Sequence, residues 1–308
     1  MSTPVTGDAG ATYRVSMSAG PPLWSPLVSA QWLADHLGAD DLVVLDASVV
    51  SFTQPNGRPG TFSGHEQYLL EGHLPGALFA DVIEAFSDPD GPYPFTRPTV
   101  EQFVTAAGEL GIDNDTTVVV YDSSVSQWAA RIWWLFRAFG YDDVAVLDGG
   151  LTTWRSEGRE LDLGQVAAEP AHFTPHERPE LWVDKAYVEG VLAGDHDACL
   201  VCATPPKEFS GEIVTRTRAG HIPGSSSAPA GRLVDRNTAQ FLEPDALRGL
   251  LSPALGAPRI VTYCNGGIAA SSAALALTLI GETSVAVYDG SLSEWAADPE
   301  AALVTTAS

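Results

Sequence analysis

Positive charge is scarce in this chain: 16 Lys and Arg stand against 39 Asp and Glu, a formal net charge of −23 over 308 residues. A surface so acidic repels phosphate backbones and anionic lipid, which argues against nucleic acid and membrane surfaces as partners. Long apolar runs are also missing. The longest, Ala273 to Ile280, is far short of the ~20 residues that span a bilayer, and residues 1–20 lack the apolar core of a secretory leader. Three cysteines do not make a disulfide framework in a chain of this length, so a reducing cytoplasm is the expected compartment. Apolar residues, by contrast, make up 45%, enough to fill the cores of about two ordinary domains.

The chain is written twice. Glu71-Gly72-His73-Leu74-Pro75-Gly76-Ala77 recurs 148 residues later as Ala219-Gly220-His221-Ile222-Pro223-Gly224-Ser225. Val118–Asp122 recurs 142 residues later as Ile260–Cys264, and Val144–Leu151 recurs 141 residues later as Val285–Leu292, each of the latter followed by a Trp (Trp154, Trp295). Val43–Ser48 likewise pairs with Cys199–Thr204. The spacing is too long for a solenoid unit, so each copy is a complete domain. Short β-branched runs alternate with helical patterns in both copies, which predicts an α/β fold with mainly parallel sheets flanked by helices. Val43–Leu45, Val118–Tyr121 and Val144–Leu147 are apolar on both parities, as strands covered on both faces should be. Thr99 followed by Gln102 is a capping-box signature. The helical segments 126–139 and 269–280 each run into a glycine, Gly140 and Gly281, suited to a left-handed C-terminal cap. The division expected is a flexible N-terminus over 1–22, a first domain over 23–160, a linker over 161–180, a second domain over 181–298 and a flexible tail over 299–308.

Ligands of open α/β sheets bind at the carboxyl ends of the strands, so the strand-to-helix loop that differs between copies is the informative one. Copy one reads Tyr121-Asp122-Ser123-Ser124-Val125-Ser126, and copy two reads Tyr263-Cys264-Asn265-Gly266-Gly267-Ile268-Ala269-Ala270. A cysteine at a strand end, followed by two glycines and a helix start, can be ringed by inward-turned amides that favour its anionic form. Cys264 is therefore the candidate nucleophile, with the amides of Asn265, Gly266, Gly267, Ile268 and Ala269 as the candidate anion cradle. A Cys-x5-Arg phosphatase site would need an arginine at 270, where Ala270 stands. Cys199 and Cys202 form a Cys-x-x-Cys, but three residues apart on a strand they point to opposite faces, and no second pair completes a zinc site. They are expected to pack in the core. No metal or organic cofactor is expected.

Over nearly all of residues 25–298 the chain resembles the tandem-domain rhodaneses, the thiosulfate/3-mercaptopyruvate sulfurtransferases. The paired Gly-His-(Leu/Ile)-Pro-Gly segments, the Cys-x-x-Gly-x-Ala loop at 264–269 and Val-Tyr-Asp-Gly-Ser with Glu-Trp at 287–295 carry the likeness. The resemblance implies two rhodanese-like domains, the first catalytically silent and the second catalytic. It implies transfer of a sulfane sulfur from a small donor, thiosulfate or 3-mercaptopyruvate, through a Cys264 persulfide to a thiophilic acceptor: cyanide, a thiol or a protein thiol. A relay that hands sulfur to a partner protein in a biosynthetic pathway, or a non-catalytic interaction module, are the alternatives. The family's Asp-x-Arg at the end of the second domain's first strand is Cys202-Ala203-Thr204 here, which removes an arginine that grips the donor. Lys207, Arg216 and Arg218 are the candidate replacements, and Thr204, with His73 from the first domain, is a further candidate donor contact. Asp122 at the silent loop carries the wrong charge for an anion site.

Overall fold

The computed structural model describes residues 20–55 and 59–306, together with two short strands, β1 (Val5–Thr6) and β2 (Thr12–Tyr13), paired antiparallel. Most of the N-terminus expected to be flexible, and the last two residues of the expected tail, lie outside the described residues. In the first half β3 (Leu27–Val28), β9 (Val144–Leu147), β8 (Thr117–Tyr121), β4 (Leu42–Asp46) and β7 (Leu78–Phe79) form a parallel sheet in that order. In the second half β10 (Trp182–Val183), β14 (Val285–Tyr288), β13 (Ile260–Tyr263), β11 (Cys199–Cys202) and β12 (Ser226–Ser227) repeat the same order, again all parallel. An antiparallel hairpin, β5 (Val49–Thr53) with β6 (Pro59–Ser63), is confined to the first half.

Helices cover both faces of each sheet, which is why β8 and β13 are buried at every residue. The first half carries α1 (Ala30–His36), α2 (His65–Glu71), α3 (Val100–Glu109), α4 (Gln127–Ala138) and α5 (Gly150–Ser156). The second carries α6 (Lys185–Ala193), α7 (Pro206–Ser210), α8 (Pro244–Leu251), α9 (Ile268–Leu279) and α10 (Ser291–Trp295). The capping box at Thr99 and Gln102 forms as its sequence predicts, each residue's side chain accepting from the other's amide. Gly140 and Gly281 take left-handed angles, φ 88° and 96°, past the ends of α4 and α9. Residues 161–178 run without helix or strand and put Phe173 into the aromatic cluster of Phe103, Phe136 and Tyr141.

The halves are tied together by their equivalent parts. Helices α4 and α9, each the helix that follows the central strand, pack on one another, and a single apolar core runs through both halves. Each half also lays a strap on the other, against the aspartate that follows β9 or β14. Phe95, at φ 61°, sits in a turn after which the Arg97 amide donates to Asp289 Oδ2 at 2.8 Å. Ala239, at φ 58°, closes the matching turn, and the Phe241 amide donates to Asp148 Oδ1 at 2.8 Å. Asp148 and Asp289 are the same position of the repeat. A non-glycine residue in the left-handed region costs about 1–2 kcal/mol, so both turns are held by the interdomain contacts they make.

Candidate active site

Cys264 directly follows β13, the central strand of its sheet, and only 3% of its surface is exposed. Gly267, at φ 78°, is the N-cap of α9, a conformation that suits glycine alone without strain. The loop is fastened to the start of α10. The amides of Cys264 and Gly267 both donate to Ser291 Oγ, at 3.1 and 3.2 Å, and Ser291 Oγ donates to the Tyr288 carbonyl at 2.8 Å. The Cys264 carbonyl accepts from the Leu292 amide at 3.0 Å, and the Asn265 carbonyl from the amide and hydroxyl of Ser293 at 3.0 and 2.6 Å. Among the described residues the amides of Asn265, Gly266, Ile268, Ala269 and Ala270 have no protein acceptor. Gly267, expected in the amide ring, is the exception: its N–H is taken by Ser291, and its part is to turn the chain. Ala270 and Ser291 were outside the sequence expectation. Repeat alignment did hold a signal for Ser291, which stands opposite Gly150, both at φ 50°.

The loop of the other copy shows what such a ring does. At the position of Cys264 stands Asp122, fully desolvated, and its carboxylate accepts from four amides: Ser124 at 2.8 Å, Ser126 at 3.1 Å, Trp128 at 2.9 Å and Ala129 at 3.0 Å. Burial pushes this carboxyl above its ordinary range, and the four amides oppose the rise. By sequence alone, Asp122 is a carboxylate of the wrong charge for an incoming anion. The cradle is instead already filled by its own side chain, which leaves no room for one.

Of the candidate donor contacts, the structure brings one to the cysteine loop. Arg216 Nε donates to Asn265 Oδ1 at 3.2 Å. Asn265 Nδ2 in turn donates to Glu208 Oε2 at 2.8 Å, which also accepts from Thr215 Oγ1 at 2.7 Å. Burial lowers the Arg216 guanidinium from its usual value, while Cys264 and Glu208 nearby hold it up. Lys207 is exposed and paired with Glu212 at 2.7 Å. Arg218 donates to the Asp298 carbonyl at 2.7 Å, beyond the end of α10. The Thr204 hydroxyl is buried against Cys202 Sγ at 3.1 Å. His73 is fully buried, stacked 4.0 Å from Tyr68, with its ring nitrogens facing the carbonyls of Leu74 and Gly164. Its ring is held by its own turn, and among the described residues neither it nor Lys207, Arg218 or Thr204 has a hydrogen bond to the cysteine loop.

Cys202 occupies the place that Asp46 holds in the first copy. Asp46 pairs in register with Tyr121 and engages Ser48; Cys202 pairs with Tyr263 and engages Thr204. Both tyrosine hydroxyls accept an amide of the Gly-His-x-Pro-Gly turn, from Leu74 and Ile222, each at 3.0 Å. Burial pushes the Cys202 thiol up to about 11, so it stays protonated near neutral pH. Cys202 and Tyr263 pack in the core on one face of the sheet, and Cys264 packs on the other.

Comparison with known proteins agrees with this anatomy. The Rhodanese-like domain family matches twice, at residues 29–157 and 191–298. A 3-mercaptopyruvate sulfurtransferase of Escherichia coli K12 is 34% identical over 276 residues, 88% of this chain and 94% of that protein. A thiosulfate sulfurtransferase of Cricetulus griseus is 36% identical over 89% of this chain and 92% of its own length. Among solved structures, SseA from Escherichia coli superposes with a TM-score of 0.76 at 32% identity, covering 87% of this chain and 98% of that one. Two matched copies, one cradle holding a cysteine and the other filled by an aspartate, and full-length similarity to such enzymes lead to one conclusion: this chain belongs to the rhodanese family of sulfurtransferases, as a tandem of two such domains.

Proposed function

We propose that Cys264 is the nucleophile of a sulfurtransferase whose donor is thiosulfate or 3-mercaptopyruvate. The observation that carries this reading is the Asp122 carboxylate, bound by four amides at the position where copy two has Cys264. A loop of the same build, with its amides free, suits a sulfur anion. The Cys264 thiolate attacks the outer sulfur of the donor, a sulfur–sulfur bond forms, and the donor's bond to that sulfur breaks. Thiosulfate leaves as sulfite. Mercaptopyruvate leaves as the enolate of pyruvate, which takes a proton from solvent. The terminal sulfur of the persulfide carries negative charge, and amides of 265, 266, 268, 269 and 270 stabilise it as an oxyanion hole would. Arg216, held by Asn265, meets the donor's sulfonate or carboxylate. Cyanide or a thiol then attacks the terminal sulfur, and Cys264 departs as thiolate.

The near-complete burial of Cys264 favours a small donor over the persulfide of a partner protein. Three unpaired cysteines fit a reducing cytoplasm, and no helix among the described residues is long and apolar enough to cross a membrane. The test is to incubate the protein with each donor and record intact mass and cyanide-dependent thiocyanate release. A cyanide-labile gain of one sulfur, absent in Cys264→Ala, supports the reading and names the donor. No adduct with either donor overturns it.

A further inference from the structure

The two halves share one plan, so a feature at one cradle that the other lacks is a built-in comparison. Arg131, on α4 of the half without the cysteine, is such a feature. It is fully buried. Its Nη2 forms an ion pair with Asp289 Oδ1 at 2.7 Å and donates to the Phe95 carbonyl at 2.9 Å. Its guanidinium lies over the ring of Trp182, 5.1 Å from the centroid. Nη1 lies 3.0 Å from where a Cβ on Gly267 would be, and neither Nη1 nor Nε has a hydrogen-bond partner among the described residues. One side chain of the first half therefore touches the strap that crosses the cysteine loop, the aspartate two residues before Ser291, and the N-cap of the cradle helix.

The repeat puts Ser272 of α9 at the position of Arg131, and the Ser272 hydroxyl is buried without a partner. Asp148, the counterpart of Asp289, accepts the strap amide but forms no ion pair among the described residues. It accordingly sits with its carboxyl raised by burial. The fold thus closes around a cradle without this guanidinium, and the strap is anchored without it as well. Only the cradle that holds the cysteine has one.

We propose that Arg131 is a positioning residue for the chemistry of Cys264. The half without the cysteine supplies the brace that fixes Gly267 and the Asp289–Ser291 turn, and through them the amide ring. The proposal rests on the reading of Cys264 as the nucleophile, and its test separates the two. Arg131→Lys, Arg131→Gln and Asp289→Asn are compared with the unaltered protein by peptide-resolved iodoacetamide labelling of Cys264 at pH 7, which needs no sulfur transfer, and by sulfur loading from the donor. Total label or sulfur taken up counts the folded sites, so each rate constant is expressed per competent molecule. A misplacement of about 1 Å at a reacting group costs up to ~100-fold in rate. Arg131→Gln is expected to react at least about tenfold more slowly at Cys264 in both assays, with donor KM changed by less than about threefold. Arg131→Lys, which keeps charge but not the planar fork, is expected to fall between. Rate constants per site equal to those of the unaltered protein in Arg131→Lys and Asp289→Asn, with lowered melting temperatures alone, would reduce Arg131 to a structural role and overturn the proposal. If the unaltered protein labels normally but loads no sulfur from any donor, the functional reading fails while the labelling comparison still decides the role of Arg131.

Discussion

Replacing Ser291 tests how the cysteine loop is held. Its hydroxyl joins three buried groups: the amides of Cys264 and Gly267 and the carbonyl of Tyr288. The residue is fully buried and sits at φ 50°, where an L side chain is strained. Ser291→Ala keeps the strain and removes all three hydrogen bonds. At about 1 kcal/mol net for each, the loss is roughly 3 kcal/mol, and it grows if the stranded amides find no water. Ser291→Gly removes the same bonds but returns about 1 kcal/mol by relieving the left-handed strain. The expected order of stability is therefore unaltered protein, then Gly, then Ala, with the Ala melting temperature lower by roughly 5 °C or more. The loop would also lose its fixed geometry, so persulfide formation followed by intact mass in a single turnover is expected to slow by roughly 10- to 100-fold in both variants. Thermal melting and rapid-quench mass spectrometry read the two effects separately. An Ala variant that melts with the unaltered protein and loads sulfur at its rate would refute the assignment of Ser291 as the fastening of the loop.

Three further outcomes follow from the same geometry. Arg216→Met is expected to lower kcat/KM for an anionic donor by roughly 10- to 100-fold, mainly through KM, as loss of one charge-assisted contact should; steady-state kinetics at constant ionic strength check this, and an unchanged KM would show that Arg216 does not meet the donor. Asp148 has its carboxyl raised from 3.8 to about 6 by burial, with Glu243 adding to the rise and the Phe241 amide opposing it. The folded state therefore holds its proton more tightly than the unfolded chain, and stability from this site is full below pH 3.8 and is lost as pH rises to about 6. Asp148→Asn, which still accepts the Phe241 amide, should gain up to about 3 kcal/mol at pH 7.5 and lose that gain toward pH 4; an equal gain at both ends in denaturant melts would refute this. Finally, oxidation with diamide should yield no Cys202–Cys264 peptide, because the two side chains pack on opposite faces of one sheet, and peptide mapping that finds the bridge would contradict that placement.

Much of this was legible in the sequence because it is encoded locally. The repeat, the all-apolar strands such as Val118–Tyr121, the Thr99–Gln102 cap and the Cys-x-x-Gly loop each need only a few neighbouring residues to be recognised. What escaped depends on distant partners. His73 looks like chemistry in its Gly-His-Leu-Pro-Gly setting, and that its ring faces the Gly164 carbonyl, 91 residues on, is invisible there. Arg216 reaches the site through Asn265, 49 residues away, so spacing could not separate it from Lys207 or Arg218. Asp122 was identified by position, but that its carboxylate would fold back into its own cradle is a matter of loop geometry. The link from Arg131 to Asp289 joins two domains and has no trace in either alone.

The crossed straps carry a consequence for how this protein can change. Each half is finished off by a piece of its neighbour: Phe95–Arg97 lies against the cysteine loop and Asp289, and Thr238–Phe241 against Asp148 and Gly149. A genetic event that discarded the half without the cysteine would strip the cover from the cysteine loop and bare the side of α9 that now lies against α4. The two halves are thus hard to part, since each survives as a piece of the other's walls.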